Sequence, residues 1–150
     1  MKIVRTGDEF VFRASSREKS LLQGVLKLYP LIPSAHHLKK ADQLPESSRK
    51  LLDEALDEQR AESKAQLQAF LTETGRFART EADWTFSLST AELEWLLQVL
   101  NDIRVGSWIN LGAPEEKLDI GWINKETAPH FWTMEIAGAF QMEMLAALRE

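Results

Sequence analysis

The sequence predicts a mainly α domain, a four-helix bundle-like arrangement with a small antiparallel sheet built from an N-terminal hairpin and one short strand. Three observations carry this. Ser15/Glu18 and Ser89/Glu92 each stand three residues apart ahead of leucine-rich runs at helical spacing, the pattern of a capping box. The stretch between Pro45 and Gly75 holds no glycine or proline. From Phe131 to Leu148 only Thr133, Glu135, Gln141 and Glu143 are polar. At 150 residues, 44% of them hydrophobic, the chain fits one domain, 1–150, with an ordinary core.

Each element follows in order. Ile3-Val4 and Phe10-Val11-Phe12 are β-prone runs, and Thr6-Gly7-Asp8 between them reads as a hairpin turn. Leu21, Leu22, Val25, Leu28 and Tyr29 form the stripe of a first helix, which Pro30 and Pro33 stop. Residues 31 to 45 read as a loop. A second helix opens at Pro45-Glu46 and runs unbroken toward Gly75, apolar at its ends and polar from Asp57 to Ser63. Trp84, Phe86 and Leu88 alternate with polar residues as a strand does, and three strands in all are expected. A third helix carries Leu93, Leu96, Leu97, Leu100, Ile103, Ser107 and Leu111 on one face and ends at Gly112 and Pro114. A loop with Glu115, Glu116 and Lys117 leads to Thr127-Ala128-Pro129, where proline suits a first helical turn.

Composition narrows the functional classes. No cysteine is present, which removes disulfides and thiolate metal sites and fits a reducing, cytoplasmic setting. The formal charge is −5, against the basic stripe a nucleic-acid binder needs. The pair Arg76 and Arg79 sits among Glu73, Glu81 and Asp83 and is expected in a solvated loop. No apolar run reaches the length of a membrane span or a signal-peptide core. His36, His37 and His130 form no metal-helix motif, and the long helix's carboxylates alternate with Arg49, Lys50 and Arg60 as on a solvated face. No nucleophile elbow, phosphate loop or dinucleotide fingerprint occurs. No cofactor and no catalytic residue are assigned.

The third helix holds the most informative polar residues. At about 100° per residue, Arg104 falls near the centre of the Leu93/Leu100/Leu111 face, Asn101 on its flank and Asp102 on the opposite side. Such an arginine is expected to be buried and paired with a carboxylate, with Glu135 or Glu143 the candidates. Residues Glu94-Trp95-Leu96-Leu97-Gln98-Val99-Leu100-Asn101-Asp102-Ile103-Arg104-Val105, followed by Leu111-Gly112, resemble the signature W-L-x-x-L-N-D-x-R-hydrophobic of a bacterial family, domain of unknown function two-thousand-seventeen. Trp108 stands where that pattern has a small residue. The resemblance implies a helical bacterial protein with no established reaction, from a family whose genes can lie beside that of the Clp protease adaptor.

The last helix, apolar on all sides, reads as the central one or as a helix covered on one side by another chain. Met134, Met142 and Met144 are candidates for core or for an adaptable binding surface. Trp108, Trp122 and Trp132 with these methionines point to a two-fold homodimer through the C-terminal third. Trp95, Val99 and Ile109 add to this, because they lie off the third helix's stripe and need cover of their own. The function expected is that of a non-enzymatic regulatory or adaptor protein acting through protein–protein contact. The alternative is a small-ligand binder or enzyme with a pocket at Arg104 and Asn101. Asn101, Asp102, Arg104, Trp108, Trp132 and Glu135 are the candidate interaction or structural residues.

Overall fold

A computed structural model describes residues 1–33, 43–115, 121 and 123–150. The expectations for His36 and His37, for the loop residues Glu116 and Lys117, and for Trp122 lie outside them. The elements run β1 (Lys2–Thr6), β2 (Glu9–Ala14), α1 (Ser16–Leu26), α2 (Glu46–Thr72), β3 (Ala78–Thr80), β4 (Asp83–Ser89), α3 (Thr90–Asn110) and α4 (Ala128–Arg149). The four strands form one antiparallel sheet in the order β1-β2-β4-β3. The fold is therefore α+β, not the four-helix bundle with a hairpin and one strand that the sequence predicted. The missed strand is β3. It turns into β4 through Glu81-Ala82, with Glu81 at φ +31°. Glutamate there carries none of the glycine or asparagine signal that betrays a hairpin.

Elsewhere local chemistry acts as read. Gly7, at φ +64°, makes the two-residue turn joining β1 to β2. Both capping boxes form: Ser15 Oγ accepts from Glu18 N and Ser89 Oγ from Glu92 N, each at 3.1 Å, and each glutamate answers to its serine N–H. Alternation along β2 and β4 turns Phe10, Phe12, Phe86 and Leu88 toward the helices. Phe12 and Phe86 face each other across the ladder, and their rings stack 4.6 Å apart.

The central helix is α3, not α4. Leu93, Leu96, Val99, Leu100, Ile103, Gly106 and Ser107 are all buried, and α3 touches α1, α4, β2 and β4. Helix α2 is continuous, and its C-terminal end fastens it: Leu67 and Phe70 are buried, with the Phe70 ring edge-on to Phe86 and Trp95. Trp95 also donates from Nε1 to Ser63 Oγ at 3.0 Å. At its other end Leu51 remains 67% exposed. Trp95 and Val99 thus find their cover inside the chain, Val99 at 1% exposure, which removes the expectation that α3 needs a second chain there.

One crossing ties α2, α3 and the residues after α1 together. After a cis Tyr29–Pro30 bond, Leu31 and Ile32 pass across α3 at Gly106. A methyl group at position 106 would overlap the Leu31 side chain and lie 2.7 Å from the Leu31 carbonyl carbon and 2.9 Å from the Ile32 nitrogen. One turn earlier, Asp102 accepts the N–H groups of Leu31 at 2.7 Å and Ile32 at 3.4 Å. The Arg60 guanidinium donates to the Ile32 carbonyl. Ile32 is buried as a result.

Arg76 is no solvated loop residue either. Half-buried, it pairs with Glu73 at 2.8 Å and Glu92 at 2.9 Å and donates to the Ser87 carbonyl at 2.9 Å. Its guanidinium lies 5.4 Å from the Phe70 ring centre.

The crossing at Gly106 sets one expected outcome. Gly106→Ala should destabilise by about 1–3 kcal/mol through overpacking, although alanine is the better helix former. Gly24→Ala, on the exposed side of α1 with nothing near its added methyl, should instead stabilise by about 0.5–1 kcal/mol. Urea unfolding of both variants gives the opposite signs or refutes the crossing. A second outcome concerns acid. Partial burial pushes the Glu92 carboxyl up, but the Ser89 N–H, the Arg76 charge and the Ser89 hydroxyl outweigh it and hold the carboxyl below the ordinary glutamate value. A folded value below the unfolded one stabilises above the ordinary value and stops doing so as pH falls through the lowered one. Unfolding free energy should therefore decline on acidification across that range, and Glu92→Gln should decline less.

Candidate functional site

Helix α4 carries two stripes on opposite sides. Ala137, Phe140, Met144 and Ala147 recur at 3-4-3 spacing and are buried against the rest of the domain. Trp132, Glu135, Ala139 and Met142 recur at the same spacing and are exposed, Trp132 by 54% and Met142 by 73%. A period of 3.6 residues places stripes offset by two positions on nearly opposite faces. The apolar sequence of α4 thus meets the core on one side only.

Beside the exposed stripe lies an open groove of about 650 Å³ between α3 and α4. Its α3 wall is Asn101 and Arg104; its α4 wall includes Met134, Glu135, Gly138, Met142 and Leu145. The helices run antiparallel here, since Gln141 donates to the Leu97 carbonyl at 3.4 Å and Arg104 lies by Gly138. The arginine stem runs beside Gly138, where a methyl would make an ordinary contact 3.6 Å from Arg104 Cδ. Arg104 also borders a smaller hollow of about 180 Å³ with Val105, Trp108 and Met134.

Arg104 is exposed, contrary to the expectation of a buried pair. Its Nη2 donates to Asn101 Oδ1 at 3.1 Å. Among the described residues neither Glu135 nor Glu143 pairs with it, and both are exposed. The reason is the crossing at Gly106. It covers α3 on the Val99/Gly106 side, so the buried arc centres on Leu96 and Ile103 and leaves Arg104 at its edge.

The remaining candidates separate into two groups. Asn101, Arg104 and Glu135 line the groove, and Trp132 lies on the exposed stripe with its ring 5.2 Å from that of Phe131. Asp102 is on the other side of α3 and holds Leu31 and Ile32. Trp108 is half-buried and donates to the Pro114 carbonyl at 3.0 Å, closing the end of α3. Gly138, Ala139 and Leu145 were not singled out in the sequence; the heptad-like spacing from Trp132 to Met142 is the signal that marks their face.

The groove can hold an apolar surface and one charge of each sign. Its described lining contains no serine, threonine, cysteine, histidine or lysine, so it assembles no nucleophile and base. Among the described residues no three histidine, aspartate or glutamate side chains are placed to hold a metal ion. No helix among them is long and apolar enough to cross a membrane. Compared with protein-family models, curated proteins and solved structures, the chain matches none.

Because Arg104 reaches solvent and Asp102 satisfies buried N–H groups, the two should behave differently. Arg104→Ala should alter stability by no more than about 0.5 kcal/mol. Asp102→Ala should cost about 1–3 kcal/mol by orphaning those donors. Thermal unfolding of the two variants ranks them; equal losses would contradict this division of labour.

Proposed function

We propose that this chain is a non-enzymatic regulatory or adaptor protein that works in the cytoplasm by docking another polypeptide along the α3/α4 face. The exposed stripe carries this reading. A tryptophan and a methionine stand in solvent on a helix whose other side is core. Beside them are Leu145, at 42% exposure, and Arg104, which has no ion-pair partner among the described residues. Tryptophan, methionine and arginine are the residues enriched where protein surfaces bury each other. Large exposed apolar side chains clustered beside polar ones on a single domain mark such a surface.

A second reading takes the groove as a small-ligand pocket at Arg104 and Asn101. Its volume is within the roughly 300–1,000 Å³ range of ligand sites. Such sites enclose most of their ligand, however, whereas Arg104 and Asn101 are both exposed. The open face favours a polypeptide.

A photo-crosslinking residue at Met142 in the native host, compared with one at Val4 on the far side of the sheet, tests the proposal. A protein adduct of defined mass should form at position 142, not at position 4, and should weaken with Trp132→Ala. Absence of any protein adduct at 142 would refute it.

A further inference from the structure

We infer that the occupant of this face is a second copy of the chain, its α4 antiparallel to the first α4 about a two-fold axis at the level of residue 137; this rests on the docking reading above. The exposed positions 132, 135, 139 and 142 are placed symmetrically about 137. Two antiparallel copies related by that axis therefore set Trp132 against Met142 of the second copy, and Glu135 against its Ala139. Tryptophan against methionine is a favourable sulfur–aromatic contact. Ala139 has only a small side chain, so the helices can approach closely and Glu135 has room to lie between them.

Charge complementarity argues for this occupant over a partner of a single sign. A two-fold interface brings a patch against itself, so it must be its own complement. The groove carries one cation, Arg104, and one anion, Glu135, and among the described residues neither has an ion-pair partner. Arg104 lies along Gly138, next to the Ala139 that faces Glu135 of the second copy. Each Glu135 then meets the other copy's Arg104, and the pair forms twice. An acidic partner would answer Arg104 and leave Glu135 facing its own sign. A basic partner would do the reverse. A second copy satisfies both.

Sedimentation velocity of the full chain, from low micromolar to hundreds of micromolar, tests the inference. The wild type should move from one to two chain masses with concentration. Arg104→Glu and Glu135→Arg should each weaken association by about a hundredfold or more, because each homodimer then opposes like charges twice. Mixed in equal amounts, the two variants should recover a dimer. The carboxylate introduced at position 104 of one variant then meets the guanidinium introduced at position 135 of the other. The unchanged Glu135 of the first likewise meets the unchanged Arg104 of the second. That recovery also shows that both variants are folded. A wild type at one chain mass throughout overturns the inference, as does a dimer indifferent to both reversals. The crosslink at Met142 separates the two levels: an adduct with a different protein overturns the second copy and leaves the docking face standing, whereas no protein adduct removes both.

Discussion

Leu31 and Ile32 can lie on α3 only because position 106 has no side chain, and much of the domain's geometry depends on that contact. Asp102 takes their two N–H groups one turn earlier, and Arg60 takes the Ile32 carbonyl from the side of α2. Backbone that is not in a helix or sheet must find hydrogen-bond partners when it is covered. Here a single helical turn supplies both the space and the acceptor. The crossing also sets the rotation of α3. With Val99 and Gly106 turned toward α2 and residues 29–33, the opposite flank bearing Asn101 and Arg104 must face outward beside α4.

Covering one flank of α3 thereby defines the other as a surface. The arginine there needs no buried counter-ion, since its head reaches water and its stem rests along Gly138. Its charge is consequently available to a partner. Asp102, two residues away in sequence, is on the opposite side of the helix and accepts from the backbone of residues 31 and 32. The Asn-Asp-x-Arg run in α3 therefore divides into a structural aspartate and a pair of surface groups.

Interactions completed within a few residues were legible in the sequence. Both capping boxes need only a serine and a glutamate three apart, and both form. Gly7 announces its turn because it favours a positive φ, which it adopts. Glu81 adopts a positive φ with no such announcement, so β3 was missed and with it the four-stranded sheet. The rotation of α3 was misjudged for a different reason. Leu111 counted toward the apolar face, drawing its centre to Arg104, yet Leu111 lies beyond the last helical residue, Asn110. The arc that is buried was extended the other way by a segment 70 residues distant in the chain. Nothing local to α3 encodes that. Of the groove, Arg104, Asn101, Glu135, Met134 and Met142 were named from the sequence, as was Trp132 beside it, but their assembly on one open face depends on that distant contact.

Helix α4 shows how an apolar sequence need not imply a fully buried helix. Its core stripe, Ala137 to Ala147, has two alanines and two large side chains, which suffices to pack on α1, α3 and β1. Its second stripe alternates a large apolar residue with a charge or a small one: Trp132, Glu135, Ala139, Met142. Glu135 costs too much to bury without a partner inside one domain, yet it can be matched across an interface if the opposing surface offers a cation. Ala139 fills little space and so favours close approach over independent packing. Burial in the domain's own core would leave that glutamate unpaired, and the solvent-facing position leaves that tryptophan 54% exposed. Both residues would be accommodated on a surface that binds and releases another chain, the role proposed above for this stripe.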